Sequence, residues 1–181
     1  MGDGGEWDSV MNSKHNGNTD FRAFVKREQA AAADAERVDW AKERDDWLGH
    51  LRELYDQIES FLAEYIEAGE IKCDYRDIRL NEEDIGSYSA PEMMLKIGRQ
   101  EVAMTPAGTL LIGSKGRVDV EGPAGRAHLL LVNSEASGPT IAAPPKEIKW
   151  AWKIATRPPI IRYSELTQES LFQALMEVAN G

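Results

Sequence analysis

Cysteine occurs once in 181 residues, at Cys73. This excludes an intramolecular disulfide and any zinc site that needs more than one thiolate. Histidine is almost as scarce: His15, His50 and His128 stand far apart, without the spacing of a ligand pair. Long apolar runs are missing too. The longest, Leu129-Leu130-Leu131-Val132, is far short of the roughly 20 residues that span a bilayer as a helix. The opening MGDGGEW has no basic segment followed by an apolar one, as a signal peptide would, and Glu6 stands where a myristoylation signal has Ser or Thr. A cytoplasmic location is the expectation. Neither GxSxG nor HExxH occurs. Gly113-Ser114-Lys115-Gly116 lacks the spacing of a phosphate-binding loop and reads as a hairpin turn. No cofactor or metal is expected.

What is present is an ordinary globular composition, 42% apolar and 29% charged, with an uneven charge. The formal net charge is −10. Residues 1–90 hold 22 acidic and 11 basic side chains, whereas residues 91–181 hold 9 and 10. All the excess acidity lies in the first half, which points to two structural regimes. The apolar pattern divides at a similar place. Residues 1–20 are rich in Gly, Asn, Asp and Ser without a period, and a disordered N-terminal tail is expected. From Asp20 to Gly69 there is no proline and abundant Ala, Glu, Arg and Leu, so one long, coiled-coil-like helix is predicted over 21–69, with Gly69 as its stop. Trp47, Leu51, Leu54, Ile58, Phe61 and Tyr65 recur at alternating spacings of four and three, and Trp40 extends the stripe N-terminally. Leu48, Tyr55 and Leu62 form a second row beside it. Such a wide stripe either covers a face of the downstream sheet or pairs with another helix.

Beyond Gly69 the period changes to two. Ile71, Cys73 and Tyr75 mark a strand that Ile78 and Leu80 continue, and Asn81–Pro91 reads as an acidic connection. Short strands follow at Met93–Ile97, Glu101–Met104, Thr109–Ile112, Arg117–Glu121 and Arg126–Asn133, separated by Gly- and Pro-containing turns. Connections this short permit antiparallel neighbours only. Ser134–Pro145 is a long loop, Ile148–Ile154 a strand with Trp150 and Trp152 on its apolar side, and Ile160–Tyr163 an edge segment. Thr167 caps a last helix, with Leu171, Phe172, Leu175, Met176 and Ala179 on one face. The expected fold is α+β: a long N-terminal α-helix, an antiparallel β-meander of about 6–7 strands in a domain over 70–181, and a short C-terminal helix.

Three functional readings follow. The first is a non-catalytic interaction or regulatory protein that forms a homodimer or docks a protein partner through Trp40, Trp47, Leu51, Leu54, Ile58, Phe61 and Tyr65. The second is a metal-dependent nuclease. Asp119 followed by Glu147-Ile148-Lys149 resembles the arrangement in which PD-(D/E)xK-type nucleases hold magnesium with carboxylates and orient water with lysine. The third is an acidic decoy whose charged helix mimics a polyanion. A basic strip of Lys146, Lys149, Lys153, Arg157 and Arg162 near two tryptophans could follow a phosphate backbone. The tryptophans fall on the opposite side from Lys149 and Lys153, which argues against base stacking. Membrane binding is not expected.

Overall fold

The computed structural model describes residues 20–30, 39–109, 114–134, 148–155 and 163–180. The chain divides into two compact units, Met1–Asp39 and Trp40–Gly181. In the first, residues 20–30 form a helix, α1. It carries Phe21 and Phe24 on its exposed surface, their rings 6.3 Å apart. The expected tail over 1–20 lies outside the described residues except for Asp20.

The second unit opens with α2, Trp40–Glu67. The single helix expected over 21–69 is therefore two helices in different units. Between Lys26 and Asp39 the only apolar residue larger than alanine is Val38, so that stretch has little with which to pack. Asp39, a favoured N-cap residue, precedes the first turn of α2. The helix ends as expected. Gly69 takes a positive φ of 73°, its N–H bonds to the Ile66 carbonyl, and that of Glu70 bonds to the Tyr65 carbonyl, at 3.0 and 2.9 Å. This is the paired closure of a Schellman motif.

Among the described residues seven strands follow in chain order and lie side by side in that order, all antiparallel: β1 (Ile71–Glu82), β2 (Gly86–Ile97), β3 (Gln100–Gly108), β4 (Gly116–Gly122), β5 (Gly125–Asn133), β6 (Trp150–Ala155) and β7 (Tyr163–Glu165). The meander is closed by α3, Gln168–Asn180. Among the described residues no helix is long and apolar enough to cross a membrane.

Both helices pack on one face of the sheet, where Val102, Met104, Val118, Val120, Leu129 and Ile154 alternate inward. Trp47 lies over β4, where a Cβ on Gly116 would fall 2.2 Å from its ring, and it meets Trp152 of β6 at 6.1 Å. At Gly122 the β4–β5 turn approaches α3 so closely that a Cβ would stand 2.4 Å from the Val178 carbonyl oxygen.

The β1–β2 hairpin is the main departure from expectation. Asn81–Pro91, read from sequence as a connection, is strand and tight turn: Glu82 pairs with Gly86, and Gly86 takes a φ of 84°. Pairing of β1 with β2 runs without a break to Ile71↔Ile97, whereas β2 pairs with β3 only over Met93–Ile97. The distal half of the hairpin therefore leaves the β3 ladder. Burial changes face at the same point. Leu95 and Met93 are buried on one side of β2, and Glu92, Ala90 and Tyr88 on the other. The Tyr55 hydroxyl lies where the strands part, 3.0 Å from the carbonyl oxygens of both Pro91 and Met104, and serves acceptors that a continuing ladder would have satisfied.

Candidate interaction surface

The predicted docking stripe on α2 is mostly interior. Trp47, Leu51, Leu54 and Ile58 have no exposed surface and belong to one continuous core with the sheet. These four are corrected from interaction residues to core residues. The stripe was wide enough to cover a sheet, and the sheet is what it covers. Trp40 is half-buried at the head of α2. Phe61 is half-buried against the core, and its carbonyl accepts a 3.0 Å hydrogen bond from Gln168 Nε2.

Of the stripe, Tyr65 is the residue most open to solvent. Tyr65 is 38% exposed in the last turns of α2 and meets Phe172 of α3 edge-to-face, 5.7 Å between centroids and 82° between planes. Next to Phe172, Met176 is 60% exposed. The sequence pattern groups both with Leu171, Leu175 and Ala179 on one face of α3; Phe172 is half-buried against the core, whereas Met176 turns to solvent, and the buried residues of α3 are Leu171, Ala174, Leu175, Val178 and Ala179. Leu62, Ile71 and Ile97 complete a groove of about 310 Å³ between the two helices and the paired ends of β1 and β2. Glu70 stands at its edge, and exposed Glu64 and Glu67 lie close by along the end of α2, which has no basic residue in its last turn.

The opposite face of the sheet carries a polar row. Register aligns Arg76, Glu92, Thr105, Asp119 and His128 across β1 to β5: Arg76↔Glu92, Thr105↔Asp119 and Asp119↔His128 are direct pairs, and the Thr105 hydroxyl donates to Glu92. Glu92, the buried charged residue of this row, also holds the Arg76 guanidinium. Asp119, the carboxylate proposed for metal binding, is engaged by Arg117 Nε at 2.9 Å and His128 Nδ1 at 2.7 Å. Lys149 lies six residues before Ala155, the partner of His128, which puts it roughly 20 Å along the strand direction from the Asp119 row. The two are not brought together, and Glu147 lies outside the described residues. Among the described residues no group of three His, Cys, Asp or Glu is placed to hold a metal ion. Of the basic strip, Lys149 and Lys153 are described, while Lys146, Arg157 and Arg162 lie outside. Trp152 faces the helices as expected, opposite Lys153. Trp150 carries the Lys115 ammonium over its ring at 5.4 Å.

A second cleft of about 320 Å³ lies between α2 and the departing hairpin, lined in part by Arg52, Tyr55, Asp56, Glu59 and Tyr75. The Tyr75 hydroxyl donates to Glu59 Oε1 at 2.5 Å, and the Cys73 thiol lies 3.7 Å from the same oxygen. Burial, then the Glu59 carboxylate, pushes the Cys73 thiol up to about 11. It is a protonated filler with little nucleophilic character at neutral pH.

Two acids, Glu82 and Glu92, have structural roles that no sequence pattern marks. Glu82 accepts hydrogen bonds from the Tyr88 hydroxyl and from both the N–H and hydroxyl of Thr109, at 2.9 and 2.7 Å for the last two. With Glu92 it ties the hairpin to β3. No protein-family model matches the chain, and no curated protein or solved structure matches it.

Proposed function

We propose that this chain is a non-catalytic interaction protein that engages a protein partner through the groove at the C-terminal end of α2. One observation carries the reading: Tyr65, Phe172 and Met176 present a contiguous apolar surface beside a concave site. The strongest chemical groups elsewhere are already committed to one another, Asp119 to Arg117 and His128, Glu92 to Arg76 and Thr105. An exposed apolar concavity with a charged rim is the anatomy of a docking surface. Docking in this reading involves the end of α2 at Tyr65 and not the length of the helix, whose other stripe residues are buried or half-buried.

The test is site-specific. A photoreactive phenylalanine analogue is placed at position 176 of the full chain and, as a control, at Arg126 on the opposite face; cells are irradiated and adducts resolved by mass. The reading expects a discrete adduct from 176 that is absent from 126. No adduct from 176 would overturn it.

A further inference from the structure

We infer that β1 is an interface between two copies of this chain: the strand pairs antiparallel with β1 of a second copy, about a two-fold axis at Cys73. The inference goes beyond the docking reading, because it concerns the edge of the sheet and not the groove.

The first support is an open edge. β1 is an outer strand, with β2 on one side and, among the described residues, no strand on the other. It runs for 12 residues without proline or glycine, and its register to β2 is unbroken from Ile71 to Glu82. An outer strand this long and regular offers a row of backbone N–H and C=O groups to any strand that fits it. The opposite edge, β7, has only 3 residues.

The second support is the order of charges along that edge. Alternation puts Ile71, Cys73 and Tyr75 on the side of α2, where Cys73 and Tyr75 both reach Glu59. Lys72, Asp74 and Arg76 lie on the other side, and all three are exposed. A row of one sign would repel a second copy and guard the edge. Here the signs alternate, so the row can oppose itself favourably.

The third is register, which decides the centre. A two-fold axis through the sheet sets one residue of β1 against itself and pairs the residues at equal distances on either side. At Lys72, Asp74 or Arg76 it would oppose like charges. At Ile71 it would leave the turn residues Gly69 and Glu70 to pair with the strand. At Tyr75 it would set Ile71 against Arg79 and Cys73 against Asp77, and carry the pairing into the distal half of the hairpin, where β2 has left β3. At Cys73 it sets Lys72 against Asp74 twice and Ile71 against Tyr75 twice, charge on charge and apolar on apolar. Residues Ile71–Tyr75 also lie opposite Met93–Ile97, the part of β2 that pairs with β3. The two sheets then continue into one.

Charge exchange in full-length chains tests this. Wild type is expected to sediment as a dimer at tens of micromolar. Lys72→Asp places two Asp–Asp pairs across the axis, and Asp74→Lys two Lys–Lys pairs. Each variant alone should weaken dimerisation by about tenfold or more, with circular dichroism unchanged because both side chains are exposed. Mixed in equal amounts they should associate as a heterodimer with the strength of wild type, since every opposed pair is then Asp–Lys. A monomeric wild type overturns the inference, as does a dimer insensitive to either variant or a mixture no stronger than the variants apart. None of these readouts involves the groove, so the result is separate from that of the cross-link at position 176.

Discussion

Tyr55 shows how one side chain sets the course of two strands. Its ring is buried in the core and its hydroxyl serves the Pro91 and Met104 carbonyls where β2 leaves β3. Removing the hydroxyl leaves both acceptors without this donor, a loss of about 1–3 kcal/mol. Tyr55→Phe should therefore lower the urea midpoint by that margin, and an unchanged midpoint would mean that water or backbone movement replaces the phenol. Cys73 supplies a pH-dependent counterpart. Its thiol is shifted from 9.0 to about 11, first by burial and then by Glu59. Below pH 9 both folded and unfolded chains keep the proton; between 9 and 11 the unfolded chain loses it first. Stability must then fall as pH rises through that window. The phenols of Tyr55 and Tyr88, raised mainly by burial, push in the same direction. Urea melts at pH 8 and 10 should show the loss, and Cys73→Ala should reduce it; a pH-independent wild type would contradict the assignment. At this scale the sequence was least informative. The inward side of Cys73, which is half-buried against the core, could be read from its register, but the roles of Glu82 and Glu92 could not, because an acidic residue in a charged stretch defaults to solvent. Their partners Arg76, Thr105 and Thr109 lie 13 to 27 residues away, and only the strand register brings them together.

Elements were legible where period and punctuation agreed. β4 alternates Val118 and Val120 with Arg117, Asp119 and Glu121, and a Pro123-Ala124 turn joins it to β5. α3 starts where Thr167 caps it: the Thr167 hydroxyl accepts from the Ser170 N–H at 3.2 Å, and Leu171 N–H bonds to the Thr167 carbonyl at 2.9 Å. Thr167→Ala should cost about 1 kcal/mol, which corresponds to a fall of roughly 2–4 °C in Tm for a unit of this size. A calorimetric scan with no shift would show that Ser170, which also bonds to the Glu165 carbonyl, holds the turn alone. Elements were misread where charge or proline masked a strand. β1 runs to Glu82 although Glu83-Asp84 follows, and Pro106 sits inside β3 at a break in its pairing with β4. That position tolerates a residue without an N–H. The faces of α3 were misjudged for a different reason: Phe172 and Met176 are as apolar as Leu171 and Leu175, and side-chain type alone cannot say which of two adjacent rows meets the sheet.

At the scale of the molecule, the heptad-like stripe and the meander answer each other. A seven-stranded sheet in sequence order leaves one long apolar face, and α2 with α3 is the length of helix available to cover it. The stripe's spacing was read correctly, yet spacing is common to a helix that finds a partner and a helix that lies on its own sheet; what separates the two is the breadth of the apolar row and the sheet that follows. The distinction has a measurable form. Leu54 is fully buried between helix and sheet, so Leu54→Ala should remove about 2–5 kcal/mol as a cavity opens, and in dilute solution, where chains are separate, the loss should not depend on protein concentration. Met176→Glu at the same dilution should stay within about 0.5 kcal/mol of wild type, as for an exposed position. If Leu54→Ala proved mild and Met176→Glu severe, the roles of stripe and groove would be reversed, and the covering of the sheet would have to come from elsewhere in the chain.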